Sequence, residues 1–240
     1  VKEHSNRIEE LFEQKPQVFY NTEMIFSDEI AQLVYDMGYK AMIVEGAKRI
    51  LGWKSPNYIY QAAAQPKLKL LMRNAKFCND LTNRFSDFSW SEYPLTAEKY
   101  MNWIAANPQS EQIINLFLNY ETLGTGQPRS TGIFEFMKAL PRYAANHNIG
   151  FSTPSEVLKT LKPIDTMASM HPNSWVGEEK DLSPWLGNTL QQEAFDKLYE
   201  MKDRVKLSEV RRLKQDWIYL QASDHFYYMN TRTNLAFSPY

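Results

Sequence analysis

VFYNTEMIFSDEIAQLVYDMGYKAMIVEG, residues 18–46, sets two short apolar runs on either side of an amphipathic stretch. Val18-Phe19-Tyr20 is the first run, and Asn21-Thr22-Glu23 follows at its end. Ser27 suits a helix N-cap, and Ile30, Leu33, Val34 and Met37 recur at helical spacing before Gly38 stops the helix. Ala41-Met42-Ile43-Val44 is the second run and finishes in Glu45-Gly46. Strand, helix and strand in this order predict parallel strands joined by a helical crossover.

Outward from this unit the same alternation continues. Residues 5–14 read as a short polar helix with Ile8, Leu11 and Phe12 on one side, ended by Lys15-Pro16. Residues 68–72 read as a strand, and 78–85, 96–106 and 131–146 as helices, the last despite Pro141. The run 113–118 is the most apolar in the chain and ends in Asn119-Tyr120-Glu121. Three predicted strands therefore finish in polar or acidic residues: Glu23, Glu45, and Asn119 with Glu121. In a parallel α/β barrel, groups that do chemistry sit at the carboxyl ends of strands. After residue 150 the pattern shifts to helices at 190–205 and 208–220, so an α/β region over 1–150 is expected to precede a more helical one over 151–240.

Composition narrows the function classes. With 43% hydrophobic and 23% charged residues the chain reads as an ordinary globular protein. A net charge of -1 gives no electrostatic reason to expect nucleic acid or an anionic membrane as partner. Aromatic residues reach 14%, which tilts toward carbohydrate, although core packing uses the same residues. The single Cys78 excludes an internal disulfide and a multi-cysteine metal site. His4, His147, His171 and His225 form no metal-binding spacing, and neither a Gly-x-Ser-x-Gly elbow nor a phosphate-binding glycine loop is present. Carboxylate chemistry or plain binding remains, with no metal and no cofactor expected. No apolar run is long enough to span a membrane, and Val1-Lys2-Glu3-His4 does not read as a signal peptide. The expectation is a cytoplasmic protein, with both ends reading as cut.

Several constellations admit two readings. Glu23, beside Phe19 and Tyr20, could attack an anomeric carbon, or it could favour the positive end of the helix that follows. Asn119 and Glu121 lie two apart, so in an extended strand they would share one face, with Gly124 and Gly126 allowing a tight loop behind them. The segment 181–188 sets Asp181, an exposed-looking Trp185 and Asn188 near a helix start, and 223–228 is dense in polar and aromatic groups. Both fit capping with core aromatics as well as a sugar site.

Taken together these motifs resemble glycoside hydrolase family 57, in its α-amylase-like branch. Val18-Phe19-Tyr20-Asn21-Thr22-Glu23-Met24 is similar to the nucleophile motif, with Glu23 in the nucleophile position. Asn119-Tyr120-Glu121-Thr122-Leu123-Gly124 resembles the acid/base motif, which in active members reads Asp-Tyr-Glu-Thr-Phe-Gly. Leu220-Gln221-Ala222-Ser223-Asp224-His225-Phe226-Tyr227 resembles the last conserved motif, which lines the cleft with an aspartate. Trp53-Lys54-Ser55-Pro56-Asn57-Tyr58, Thr131-Gly132-Ile133-Phe134-Glu135-Phe136 and the segment 181–188 match as well.

The resemblance implies a (β/α)7 barrel followed by a helical bundle, and a retaining mechanism on α-1,4-glucans or maltooligosaccharides without a metal. Glu121, Trp185, Asp224 and His225 would contact the glucan. The family's first strands carry a His-Gln-Pro motif and a second conserved motif, neither of which is present. The barrel is therefore expected to be incomplete at its amino-terminal end, with 1–150 holding the catalytic strands and 151–240 the last barrel elements and the helical region. The chemistry departs too. Position 119 is Asn where the family has the acid/base Asp, and Thr125-Gly126-Gln127 stands where Glu-His-Gln is usual. Hydrolysis is expected to be weakened or lost, the alternative being a non-catalytic glucan-binding homologue.

Overall fold

The computed structural model describes residues 1–230, which fall into two compact units, Val1–His171 and Pro172 onward. The first unit runs α1 (Lys2–Phe12), β1 (Val18–Tyr20), α2 (Asp28–Asp36), β2 (Ala41–Glu45), α3 (Lys48–Leu51), β3 (Ile59–Ala62) and β4 (Lys69–Arg73). It continues with α4 (Ala75–Thr82), α5 (Ala97–Ala105), α6 (Ile133–Asn146), α7 (Pro154–Thr160) and β5 (Asp165–Met167). The fold is α/β, and its strands form one sheet in the order β1-β2-β4-β3-β5.

β1 and β2 are parallel, as the strand–helix–strand reading of residues 18–46 predicts, and β4 runs parallel to β2. Ser27 caps α2 by accepting from the Ile30 N–H, and Gly38 leaves the helix with φ +93°. Both faces of the central strands are covered. Met42, Val44, Leu70 and Met72 pack with Phe26, Val34 and Tyr60 on one face, and Ile43 and Leu71 pack with Ile59 and Val157 on the other. Unbroken apolar runs at β2 and β4 follow from this two-sided burial. A third core lies among α4, α5 and α6, where Phe77, Tyr100 and Phe136 meet edge to face.

Two expectations need correction. The sheet is mixed: β3, which the apolar pattern does not single out, runs antiparallel to β4 and parallel to β5. The run 113–118 is not a ladder strand. Among the described residues its one ladder bridge to the sheet is Arg73 with Asn115, and side-chain and loop partners take other polar groups of the run. The Asn115 side chain donates to the Met72 carbonyl, the Ile113 N–H to the Asn57 carbonyl and the Phe117 N–H to the Cys78 Sγ. The described strands form one open sheet, which is compatible with the incomplete barrel expected from the sequence.

The second unit contains α8 (Ser183–Leu186), α9 (Thr189–Glu200), α10 (Lys202–Leu207), α11 (Arg211–Leu220) and α12 (Ser223–Tyr227). The single helix expected over 190–205 breaks at Met201 into α9 and α10. Asn188 starts α9 with a reciprocal capping box to Gln191. The core of this unit is Trp185, Leu198 and Phe226.

Candidate functional site at the strand tips

β1 ends at Tyr20, and the chain turns at once through a 3-10 turn, Thr22–Met24. Within it Glu23 and Met24 hold φ +53° and +52°, the left-handed region that non-glycine residues avoid. Asn21 holds the turn from both sides: its Oδ1 accepts from the Thr22 N–H and its Nδ2 donates to the Ile25 carbonyl at 2.8 Å. Met24 is fully buried, so its apolar side chain anchors the turn while Glu23 stays half-buried. Two consecutive strained residues cost of order 1–3 kcal/mol each, and such strain clusters at functional sites.

β2 ends at Glu45, which is fully buried and paired with Arg73 at the end of β4, Nη1 to Oε2 at 3.2 Å. Gly46 follows, where a Cβ would run into the Arg73 carbonyl, so the two strand ends pack together only with glycine there. Arg73 also donates from Nη2 to the Asn79 Oδ1 at 3.0 Å and from Nε to the Phe117 carbonyl at 3.1 Å. The Cys78 Sγ accepts from the Phe117 N–H at 3.3 Å, and burial pushes its thiol pKa up. The backbone of Phe117 is thus gripped on both sides by groups from β4 and α4.

The Phe117 ring meets that of Tyr20, with centroids 4.6 Å apart and planes 30° from parallel. This aromatic pair joins the end of β1 to the segment leading into Asn119. Glu23 lies three residues beyond Tyr20, and Asn119 two beyond Phe117. The Tyr20 phenol pKa is raised by burial first and by the Glu23 charge second.

Asn119 and Glu121 do not share a strand face. Asn119 is extended and exposed, but Tyr120–Thr122 form a 3-10 turn, which removes the alternation on which the expectation rested. The Gly126 and Thr125 N–H groups fold back onto the Glu121 carbonyl, and Gly124 takes φ +118°. Tyr120 projects outward, 96% exposed.

Trp185, Asp224 and His225 belong to the second unit. Trp185 is not exposed: at 6% exposure its ring packs in the core, 6.3 Å from Tyr227. Asp181 accepts from the Ser183 N–H at the start of α8, and Asn188 caps α9. On α12, Asp224 is exposed and His225 half-buried. Sequence reasoning missed Arg73. Its one signal is a cation placed directly after the apolar run 68–72, where it can close a strand end. Among the described residues no group of three or more His, Cys, Asp or Glu could hold a metal, and no helix is long and apolar enough to cross a membrane.

Comparison with known proteins adds three findings. Residues 1–170 match the model of the family "Glycosyl hydrolase family 57", a stretch that ends beside the limit of the first compact unit. A Methanocaldococcus jannaschii protein described as "Putative alpha-amylase" is 38% identical over 246 residues, covering 97% of this chain and 51% of that protein. The chain thus spans about half the length of this relative. Two solved structures share the fold. A branching enzyme from Thermococcus kodakaraensis, crystallised with glucose and additives, superposes with a TM-score of 0.70 at 13% identity, over 95% of this chain and 56% of that one. A 4-alpha-glucanotransferase from Thermococcus litoralis gives 0.58 at 15% identity, over 89% and 32%.

Proposed function

The chain belongs to glycosyl hydrolase family 57, and from that premise we propose that it acts on α-1,4-glucans through the strand-tip site, with Glu23 as nucleophile and Asn119 in the place of the acid/base. The observation that supports this reading is the Tyr20–Phe117 contact, which joins the strained turn bearing Glu23 to the segment bearing Asn119. The names of the relatives, a "Putative alpha-amylase", a branching enzyme and a glucanotransferase, agree with a glucan as the ligand.

A retaining glycosidase needs one carboxylate to attack the anomeric carbon and one acid to protonate the departing oxygen. Glu23 is half-buried in the turn that follows Tyr20, where a pyranose ring could meet both carboxylate and aromatic face. Asn119 matches an aspartate in size and cannot donate a proton in its place. Loss of a general acid costs on the order of 10²- to 10⁴-fold in rate with a poor leaving group such as a sugar. A leaving group that needs no proton escapes that cost.

The test compares starch with an α-glucosyl fluoride. The expected result is slow or undetectable starch cleavage, turnover of the fluoride that Glu23→Gln abolishes, and recovery of starch cleavage in Asn119→Asp. Equal loss on both substrates sinks the reading. The second reading, glucan binding without catalysis, draws support from the 124–127 loop folding onto the Glu121 carbonyl. Calorimetry with maltooligosaccharides that finds binding, but no turnover even in Asn119→Asp, favours it.

A further inference from the structure

β3 begins opposite Leu71, so it no longer flanks the last two residues of β4. Residues 113–118 lie there instead. Asn115 bridges Arg73, its side chain donates to the Met72 carbonyl, and its own carbonyl accepts from the Asn74 N–H at 3.0 Å. Two residues on, Arg73 meets the same segment again, donating from Nε to the Phe117 carbonyl at 3.1 Å. The Phe117 N–H donates to the Cys78 Sγ at 3.3 Å. Arg73 is buried, and other N–H groups of its guanidinium go to Glu45 on β2 and Asn79 on α4.

Beyond Phe117 the chain forms a short arch. The Asn119 carbonyl accepts from the Thr122 N–H at 3.0 Å, and the Thr122 carbonyl accepts from the Gln127 N–H at 2.9 Å. Thr122 and Gln127 are buried, and the Gln127 Nε2 donates to the Thr82 carbonyl at 3.0 Å. Both feet of the arch are thus fixed to the end of β4 and to α4. Asn119 is exposed between them, so the backbone on either side sets its place.

We propose that Arg73 is a positioning residue for position 119: through the Phe117 carbonyl it sets where that side chain stands relative to a substrate attacked by Glu23. The inference rests on the function proposed above. A guanidinium reaches several partners at once in one plane, and a lysine ammonium cannot reproduce that fork. A misplacement of about 1 Å costs on the order of 10²-fold in a step that needs a positioned group. Attack by Glu23 starts from a separate turn at the end of β1.

The test uses the whole chain bearing Asn119→Asp, which supplies a proton donor. Two rates are read in each variant. Cleavage of starch needs that proton; release of fluoride from an α-glucosyl fluoride in the first turnover needs Glu23 but no acid. Arg73→Lys keeps a cation beside Glu45 and gives up the fork. It should lower the ratio of starch kcat to fluoride release about tenfold or more without raising the starch KM. An unchanged ratio, or a parallel fall in both rates, overturns the inference and leaves the proposed function standing. Turnover of neither substrate in Asn119→Asp alone overturns that function and this inference with it. If Arg73→Lys folds poorly, Cys78→Ala decides, because it frees the Phe117 N–H and leaves the Glu45–Arg73 pair in place. It should lower the same ratio, and Cys78→Ser, which keeps an acceptor, should recover part of the loss. A ratio that Cys78→Ala does not move overturns the inference.

Discussion

Glu23 takes the left-handed conformation beside Met24, which does the same, and this pairing sets the stability of the turn against its use. A non-glycine residue gives up roughly 1–2 kcal/mol there, so Glu23→Gly should leave stability unchanged or raise it by up to about 1 kcal/mol in urea unfolding. Turnover of the activated donor should vanish in the same variant. A clear fall in stability would mean that the turn depends on the Glu23 side chain and not on the Asn21 and Met24 anchors. Arg73 stands at the opposite extreme, fixed by several partners. Arg73→Ala leaves Glu45 buried without its cation and should cost about 3–5 kcal/mol. The double variant Arg73→Met with Glu45→Gln should cost less than the sum of the single changes.

At the scale of elements, α4 and α5 are tied by Tyr100, whose hydroxyl donates to the Phe77 carbonyl at 3.0 Å. Burial first, then the neighbouring Cys78 and Asp80, raise its pKa far above the ordinary phenol value of 10.0. The folded state therefore keeps a proton that the unfolded chain loses at alkaline pH. Its stabilising contribution is complete below pH 10 and falls as pH rises above that value. Thermal unfolding should thus show an alkaline decline that Tyr100→Phe flattens, at a cost of about 1 kcal/mol near neutrality. Helix starts are local by comparison. Ser27→Ala should cost about 1 kcal/mol by removing the bond to the Ile30 N–H. Residues such as Ser27, Gly38 and the apolar run of β2 were legible because their signals are local. β3 and β5 were not, since Ile59-Tyr60-Gln61-Ala62 and Asp165-Thr166-Met167 mix polar with apolar residues and form no apolar run. Nor could the apolarity of 113–118 reveal its conformation, because partners distant in sequence, Cys78 and Asn57, take its N–H groups.

Across the whole molecule, protection should be uneven. β2 and β4 are buried on both faces, whereas α1 and α11 contain no buried residue. Native-state hydrogen exchange should find β2 and β4 slowest, with α1 and α11 exchanging by low-energy local opening. Equal protection across these four elements would contradict the burial pattern. The sequence by itself determined the α/β class, the parallel run of β1, β2 and β4, and the family, because hydrophobic period, caps and motifs are written over short stretches. Tertiary structure alone decided that β3 runs antiparallel and that Trp185 lies in a core. It also decided that Arg73 and Tyr20 hold the segment leading to Asn119. Those outcomes depend on which distant groups satisfy each buried charge, ring and backbone bond, and a linear pattern does not encode that pairing.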